Sequence, residues 1–288
     1  MIPFDLLEPD TLEQALSLLD PEDYTVRPIA GGTAMMLMMK SGVFQPTRLI
    51  SLARLQGFSG IEADADGGLR IGAMTSLAQM EYSPLVARHA PVIVKTMKRL
   101  ANVRVRNVAC IGGALAHGDP HMDMPPLLAA LGAQVVAVSA AGERVIEVQD
   151  LYLGYYETVL GKDELIREVR IPSQQDRRAT YFKCTTRSAD DWPALGVAVN
   201  GRLREGRLAD VRIVVGAVTE KPTRVESAES VLEGKPLDAA VIREACAAAA
   251  ASLETQSDAR GSAAYKRELV KVYLGRALRA AFEGGGEP

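Results

Sequence analysis

The amino-acid sequence predicts an α+β fold, and three observations carry that reading. Two glycine pairs, Ala30-Gly31-Gly32-Thr33 and Ile111-Gly112-Gly113-Ala114, each follow an apolar or extended stretch and each run into a segment with helical pattern. Short β-rich segments alternate with helical ones as far as Pro172. Beyond a polar stretch at 173–180, three strand-like segments precede three helical ones, the order of a meander covered by helices. With 288 residues, 48% hydrophobic and 24% charged, the chain has globular composition and enough length for two or three compact units.

Taken in order, Asp10-Thr11-Leu12-Glu13 reads as a helix start, with a capping Asp or Thr and then Leu12, Ala15, Leu16 and Leu19 on one face. Residues 24–30 are short and β-rich, hence a strand. After the first glycine pair, residues 33–40 form a helix that is apolar nearly all round. Its Met35, Met36, Met38 and Met39 read as core filler, and Gly42 ends it. Strands follow at 48–52, 57–62 and 69–73, with a turn at 64–68. Thr75 opens a short helix, and Ser83-Pro84 opens a longer one to about Leu100, broken or kinked at Pro91. His89 is a surface or packing residue on it. Residues 103–109 alternate basic and apolar side chains through Arg104 and Arg106 and lead into the second glycine pair. A helix at 122–131, a hairpin of 134–138 with 144–148, and a strand at 164–171 complete this part. The remainder reads as strands at 181–186, 194–203 and 211–218, helices at 220–232, 239–253 and 263–282, and a frayed tail at 284–288.

The glycine pairs carry the functional signal. Glycine lets backbone approach a ligand without a Cβ in the way, and successive N–H groups at a loop-to-helix junction favour an anion. A pair alone is usually a tight turn; two in this context suit a diphosphate gripped from two sides, hence a large dinucleotide. The segment His117-Gly118-Asp119-Pro120-His121-Met122-Asp123 alternates His and Asp, a donor set that suits a divalent ion. Against that, Pro120 and the helix start near Met122 would turn the four groups in different directions. Asp123 equally serves as a helix-start acid or a cofactor contact. No metal ligand and no catalytic acid, base or nucleophile is assigned: Walker, Gly-x-Ser-x-Gly and Gly-x-Gly-x-x-Gly patterns are all missing. Cofactor loops without acid–base machinery suit electron transfer. Cys110, Cys184 and Cys246 are too scattered for an iron–sulfur motif, so any cluster belongs to another chain. A net charge of −3 without a basic block argues against nucleic acid. No signal peptide or membrane span is expected, and the chain reads as cytoplasmic.

In order and spacing, these motifs resemble the FAD-binding medium subunit of molybdenum hydroxylases, the xanthine dehydrogenase and aerobic carbon monoxide dehydrogenase family. The shared marks begin with Ala30-Gly31-Gly32-Thr33, Arg48-Leu49-Ile50-Ser51-Leu52, Ile71-Gly72-Ala73-Met74-Thr75 and Val105-Arg106-Asn107. They continue with Ile111-Gly112-Gly113, Asp119-Pro120, Asp123-Met124-Pro125, Asp163-Glu164-Leu165-Ile166, Tyr181-Phe182-Lys183 and Arg187. The resemblance implies a two-piece FAD-binding domain of the PCMH type over residues 1–174, divided into 1–56 and 57–174. It also implies a C-terminal α+β domain over 175–288 with a three-stranded antiparallel sheet and helices. Pro28, Ile29, Ala30, Gly31, Gly32, Thr33, Ala34 and Met35 would form the first pyrophosphate loop. Cys110, Ile111, Gly112, Gly113 and Ala114 would form the second. Asp123 would bond along the ribityl–phosphate arm, Ile166 would pack near the ring system or adenine, and Lys183 would supply a cation to the cofactor.

The sequence departs from the family pattern at Cys110, where Thr or Ser is usual, at Ala114, where Asn is frequent, at His117, and at Asp191-Trp192-Pro193. Near flavin, Trp192 could stack or shield; packing is the simpler role. The implied function is electron transfer from [2Fe–2S] clusters of a small subunit through FAD to an external acceptor, with molybdopterin on a large subunit. A dimer of heterotrimers is the implied assembly. A stand-alone FAD-dependent oxidoreductase of the same fold and a flavin-free assembly subunit are the alternatives.

Overall fold

A computed structural model describes residues 2–283, so the tail at 284–288 lies outside the described residues. The chain opens with β1 (Asp5–Leu7), α1 (Leu12–Leu18), β2 (Val26–Ile29), α2 (Thr33–Lys40) and β3 (Arg48–Ser51). The three strands form a parallel sheet in the order β1-β3-β2 with the helices as crossovers. Thr11 caps α1, its side chain accepting from the Gln14 N–H. The helix α2 ends where Gly42, at φ 75°, lets the N–H groups of Gly42 and Val43 turn back to the carbonyls of Met39 and Met38. Of its four methionines only Met39 is buried; Met35, Met36 and Met38 are half-buried and Leu37 faces out, so the core-filler reading holds for Met39 alone.

Next come β4 (Ile61–Ala63), β5 (Leu69–Gly72), α3 (Leu77–Tyr82), α4 (Pro84–His89), α5 (Pro91–Met97), α6 (Val103–Val108), α7 (Ile111–Ala116) and α8 (Met124–Leu131). They are followed by β6 (Gln134–Ser139), β7 (Gly142–Glu147), the small hairpin β8 (Tyr152–Gly154) with β9 (Glu157–Thr158), and β10 (Leu165–Ile171). An antiparallel sheet runs β4-β5-β10-β6-β7. The helix opened at Pro84 is broken at Pro91 as expected, because Ala90 leaves helical geometry and Pro91 starts a new helix, which ends at Met97. The basic–apolar alternation before the second glycine pair is a helix, α6, capped by Asn102. Arg106 there turns inward: it pairs with Glu81 at 2.8 Å and donates to the carbonyls of Leu100 and Ala101.

The C-terminal part comprises β11 (Arg178–Cys184), β12 (Leu195–Arg204), β13 (Arg207–Gly216), β14 (Thr223–Arg224), α9 (Glu226–Leu232), α10 (Ala239–Ser252) and α11 (Ala263–Phe282). Its sheet has four strands in chain order, which corrects the three-stranded expectation. The extra strand, β14, is a two-residue edge inside the segment read as helix from 220. Thr223 and Arg224 pair with Val215 and Val214, and two residues are too few for alternation to register in sequence. Both faces of this sheet are apolar. Ala198 and Val214 belong to the core around α8, whereas Val197, Val199, Ile213 and Val215 belong to a second core under α10 and α11. That is the period-two consequence of strand geometry when both faces are covered.

The Glu81–Arg106 pair is nearly closed to solvent, with side chains 9% and 10% exposed, so removing one partner strands a buried charge. Glu81→Ala is expected to destabilise by about 3–5 kcal/mol in urea unfolding. Breaking the exposed Arg70–Glu62 pair by Glu62→Ala is expected to cost less than about 1 kcal/mol in the same assay.

Candidate functional site

Gly31 decides how the two glycine loops meet. A Cβ built on it would lie 1.9 Å from the carbonyl oxygen of Val108, so only glycine allows the first loop to lie against the chain entering the second. The Gly31 N–H faces the Cys110 sulfur, and the Cys110 thiol donates to the Val108 carbonyl at 3.3 Å. On the far side, the space of a Cβ on Gly113 borders the Ala30 methyl at 3.4 Å. Loops eighty residues apart in sequence therefore touch along Gly31–Val108 and Ala30–Gly113. Burial raises the Cys110 pKa, which keeps the thiol protonated.

The two loops offer unequal sets of donors. Gly32, at φ 67°, takes the left-handed turn that starts α2, and no side chain caps that helix. Among the backbone bonds of the described residues, none engages the N–H groups of Gly32, Thr33, Ala34 or Met35, the orphan donors of a helix start. Pro28 and Ile29 end β2 and hold the loop to β3, the Ile29 carbonyl accepting from Leu52 N–H. The helix α7 likewise lacks a side-chain cap at Cys110. Its Ile111 and Gly112 N–H groups, however, are bonded to Thr75 and Ala73, and Ala114 N–H to Cys110, leaving Gly113 as the donor without a backbone acceptor. Gly112 is needed for contact of another kind, since a Cβ there would sit 2.6 Å from the Ala73 methyl. Two uncapped helix starts in contact fit a diphosphate, the first loop supplying most of the hydrogen bonds.

Ile166 is buried on β10 beside a bulge, where pairing with β6 slips between Ile166 and Glu168. The bulge carbonyl of Arg167 accepts from Ala73 N–H, and the Ala73 carbonyl accepts from Gly112 N–H. Ile166 is thus tied through backbone to the second loop.

Asp123 and Lys183 meet each other. Lys183 Nζ donates to Asp123 Oδ2 at 3.0 Å and Tyr181 Oη donates to Oδ1 at 2.8 Å, while Lys183 also reaches the Arg99 carbonyl at 3.3 Å. Burial pushes the Asp123 carboxyl up, and the Lys183 ammonium with both hydrogen bonds opposes that shift. Both carboxylate oxygens are engaged, so Asp123 anchors Lys183 and β11 to the start of α8. Sequence reading gave Tyr181 no site role, although the i, i+2 spacing of Tyr181 and Lys183 on a strand places them on one face.

The His–Asp alternation does not converge on one point: Asp123 pairs with Lys183, whereas His117 and Asp119 share Tyr156, whose Oη donates to Asp119 at 3.2 Å. His117 sits edge-on to Tyr156 with ring centroids 5.2 Å apart, and burial lowers its pKa. Asp119 accepts from His121 N–H and faces its Nδ1 at 2.9 Å, while His121 Nε2 faces Asp258 Oδ2 at 2.8 Å. Buried Lys266 donates to Asp258 at 2.6 Å and to the Ala217 carbonyl at 2.7 Å. Trp192 stacks on His121 at 6.4 Å with the Arg260 guanidinium 5.2 Å from its ring centre. Among the described residues no three His, Cys, Asp or Glu side chains are placed to hold a metal ion. The segment instead forms polar struts to the C-terminal part, and Asp258 and Lys266 carried no sequence signal.

Comparison with known proteins agrees with this arrangement. Residues 2–174 match the family model for the FAD binding domain in molybdopterin dehydrogenase. Residues 180–281 match the CO dehydrogenase flavoprotein C-terminal domain. The nicotine 6-hydroxylase medium subunit of Paenarthrobacter nicotinovorans is 36% identical over 94% of this chain and 94% of its own. The carbon monoxide dehydrogenase medium chain of Hydrogenophaga pseudoflava is 32% identical over 98% and 99% respectively. A solved carbon monoxide dehydrogenase from Hydrogenophaga pseudoflava, lacking the Mo-pyranopterin moiety, superposes with a TM-score of 0.94. That structural match has 33% identity and covers 99% of this chain and 100% of that one.

Two predictions follow from the geometry. Gly31→Ala is expected to force the loops apart and weaken FAD binding at least tenfold by flavin-fluorescence titration, with far-UV circular dichroism of the fold retained. The second concerns acid stability. Lys266, His121 and the Arg260 N–H hold Asp258 at about 2, against the burial that would raise it. A depressed carboxyl contributes stability above its unfolded value of about 3.9 and loses it as pH falls toward the folded one. Asp258→Asn should therefore be less stable than the parent at pH 7, with the difference in melting temperature closing between about pH 4 and pH 2.

Proposed function

Because the chain belongs to the FAD-binding medium subunits of the molybdenum hydroxylases, we propose that it serves as the electron-relay subunit of such a complex, and that its contacting glycine loops hold the diphosphate of FAD. The single observation that carries this reading is the approach of Gly31 to the Val108 carbonyl, which brings two uncapped helix starts together. The N–H groups of Gly32, Thr33, Ala34, Met35 and Gly113 would hold the diphosphate. Cys110 clips the loops through Gly31 instead of offering a hydroxyl, and Ala114 lends its N–H to the helix. Ile166 would give the cofactor an apolar wall, and Lys183, held by Asp123 and Tyr181, a fixed cation.

When bound, FAD supplies reversible acceptance and release of electrons, the chemistry that the side chains lack. The protein's part is to orient the cofactor and set its electrostatic surroundings; no residue acts as general acid or base. Electrons would arrive from [2Fe–2S] clusters on a small subunit, downstream of a molybdopterin-bearing large subunit, and leave to an external acceptor. A dimer of heterotrimers in the cytoplasm is the assembly we favour. None of the described helices is long and apolar enough to cross a membrane. The two separate sheets of the first part support a division into 1–56 and 57–174, with 175–288 as the second domain.

Native purification of the tagged chain with its co-expressed neighbours, followed by flavin and metal analysis, tests the proposal. One FAD per chain together with molybdenum and iron is expected. Flavin alone, with NAD(P)H or substrate turnover by the isolated chain, would indicate a free-standing flavoenzyme. A colourless chain that takes up no FAD would leave only an assembly role.

A further inference from the structure

At the opposite end of the C-terminal sheet from Lys183, a hollow of about 570 Å³ is lined by Asp176, Arg177, Arg178, Arg202, Leu203 and Arg204. Arg178 and Lys183 are five residues apart on β11, a separation of about 17 Å along the strand. The hollow is therefore distinct from the cofactor loops, and it does not rest on the reading given to them. We propose that it is a binding site for a small polyanion carrying two or more phosphoryl groups.

Four guanidinium groups and one carboxylate, Asp176, line the hollow, with Asp210 paired to Arg202 and Arg204 beside it, in a chain whose net charge is −3. Every cation in the lining is arginine, whose planar fork matches phosphoryl oxygens in pairs. All four have a partner before any ligand arrives, the loosest being Arg204, whose Nη2 lies 3.5 Å from Asp210 Oδ2. Arg177 donates from Nε to Asn200 Oδ1 at 3.1 Å and from Nη2 to the Asp210 carbonyl at 2.8 Å. Arg178 donates to the Phe282 carbonyl at 2.9 Å, and Arg202 to Asp210 Oδ2 at 2.6 Å. Fixed donors lose little freedom on binding. Backbone strain also gathers at this place: Asp176 and Asp210 adopt φ of 60° and 52°, a left-handed geometry unusual for a non-glycine residue. Burial, together with crowding by Arg202, Arg212 and Arg204, lowers the Arg177 pKa, a like-charge repulsion that a bound anion would relieve. At about 570 Å³ the hollow lies within the size range of small-molecule sites.

Arg177 also connects the hollow to α8 through Asn200. Asn200, which accepts from Arg177, donates to the Ala130 carbonyl near the C-terminal end of α8, whose other end begins at Asp123.

The test is calorimetric titration of the FAD-loaded full chain with inorganic pyrophosphate at constant ionic strength, so that the glycine loops are already filled. One saturable site is expected, weakened at least tenfold in Arg202→Ala/Arg204→Ala and strengthened in Asp210→Asn, with the flavin spectrum unchanged in both. Should the chain take up no flavin, the same titration on chain as isolated still reads this site, because only its heat depends on Arg202 and Arg204. Absence of saturation, equal affinity in the double arginine variant, or tighter binding of hexaglutamate than of pyrophosphate would overturn the proposal. The last result would mark the hollow as a seat for an acidic segment of a partner protein.

Discussion

One close approach governs the rest of the molecule: the first glycine loop lies against the backbone that delivers the second. At Gly31 a hydrogen stands where any other residue would drive a carbon into the Val108 carbonyl. The parallel three-stranded sheet presents that loop from one side, and α6 and α7 present its counterpart from the other. Each half of the cradle is held by elements that have no covalent reason to meet. Their alignment is maintained by backbone bonds running from the β10 bulge through Ala73 to Gly112, and by the Cys110 sulfur facing Gly31.

Much of this was legible in the sequence because it rests on local rules. Thr33–Lys40 and Ala263–Phe282 have the bounds that capping and periodicity predict, and Pro91 ends one helix and begins the next. Other features were out of reach for specific reasons. The alternation through Arg104 and Arg106 names no element by itself, and nothing local shows that Glu81, from an earlier helix, takes Arg106 into the interior. The strand β14 has two residues and exists only because Val214 and Val215 are there to pair with it. In the site, the glycine loops announced themselves through composition, whereas the unequal supply of N–H donors depends on Ala73 and Thr75, which carry no signal of their own. Asp258 reaches His121 across 137 positions of chain, a separation that no motif spans, and Lys266 joins only through Asp258.

The polar residues between the two halves of the chain follow a common design. Asp123 with Lys183 and Tyr181, and Asp119 with His121, Asp258 and Lys266, place charged groups away from solvent but leave none without a partner. Among the described residues, no buried side-chain nitrogen or oxygen lacks a hydrogen bond. Networks of this sort add little net stability over an apolar filling, but they penalise misalignment heavily, because a slipped strut exposes a charge to a dry interior. They are therefore suited to fixing where the C-terminal sheet sits relative to the glycine loops.

The helix α8 shows what that fixed seating entails. All eight of its residues are buried, and the apolar face of the C-terminal sheet that carries Ala198 and Val214 packs on it. Neither half could shed the other without baring a hydrophobic surface, so the two are obliged to travel as a pair. Either portion by itself would turn that apolar face toward water.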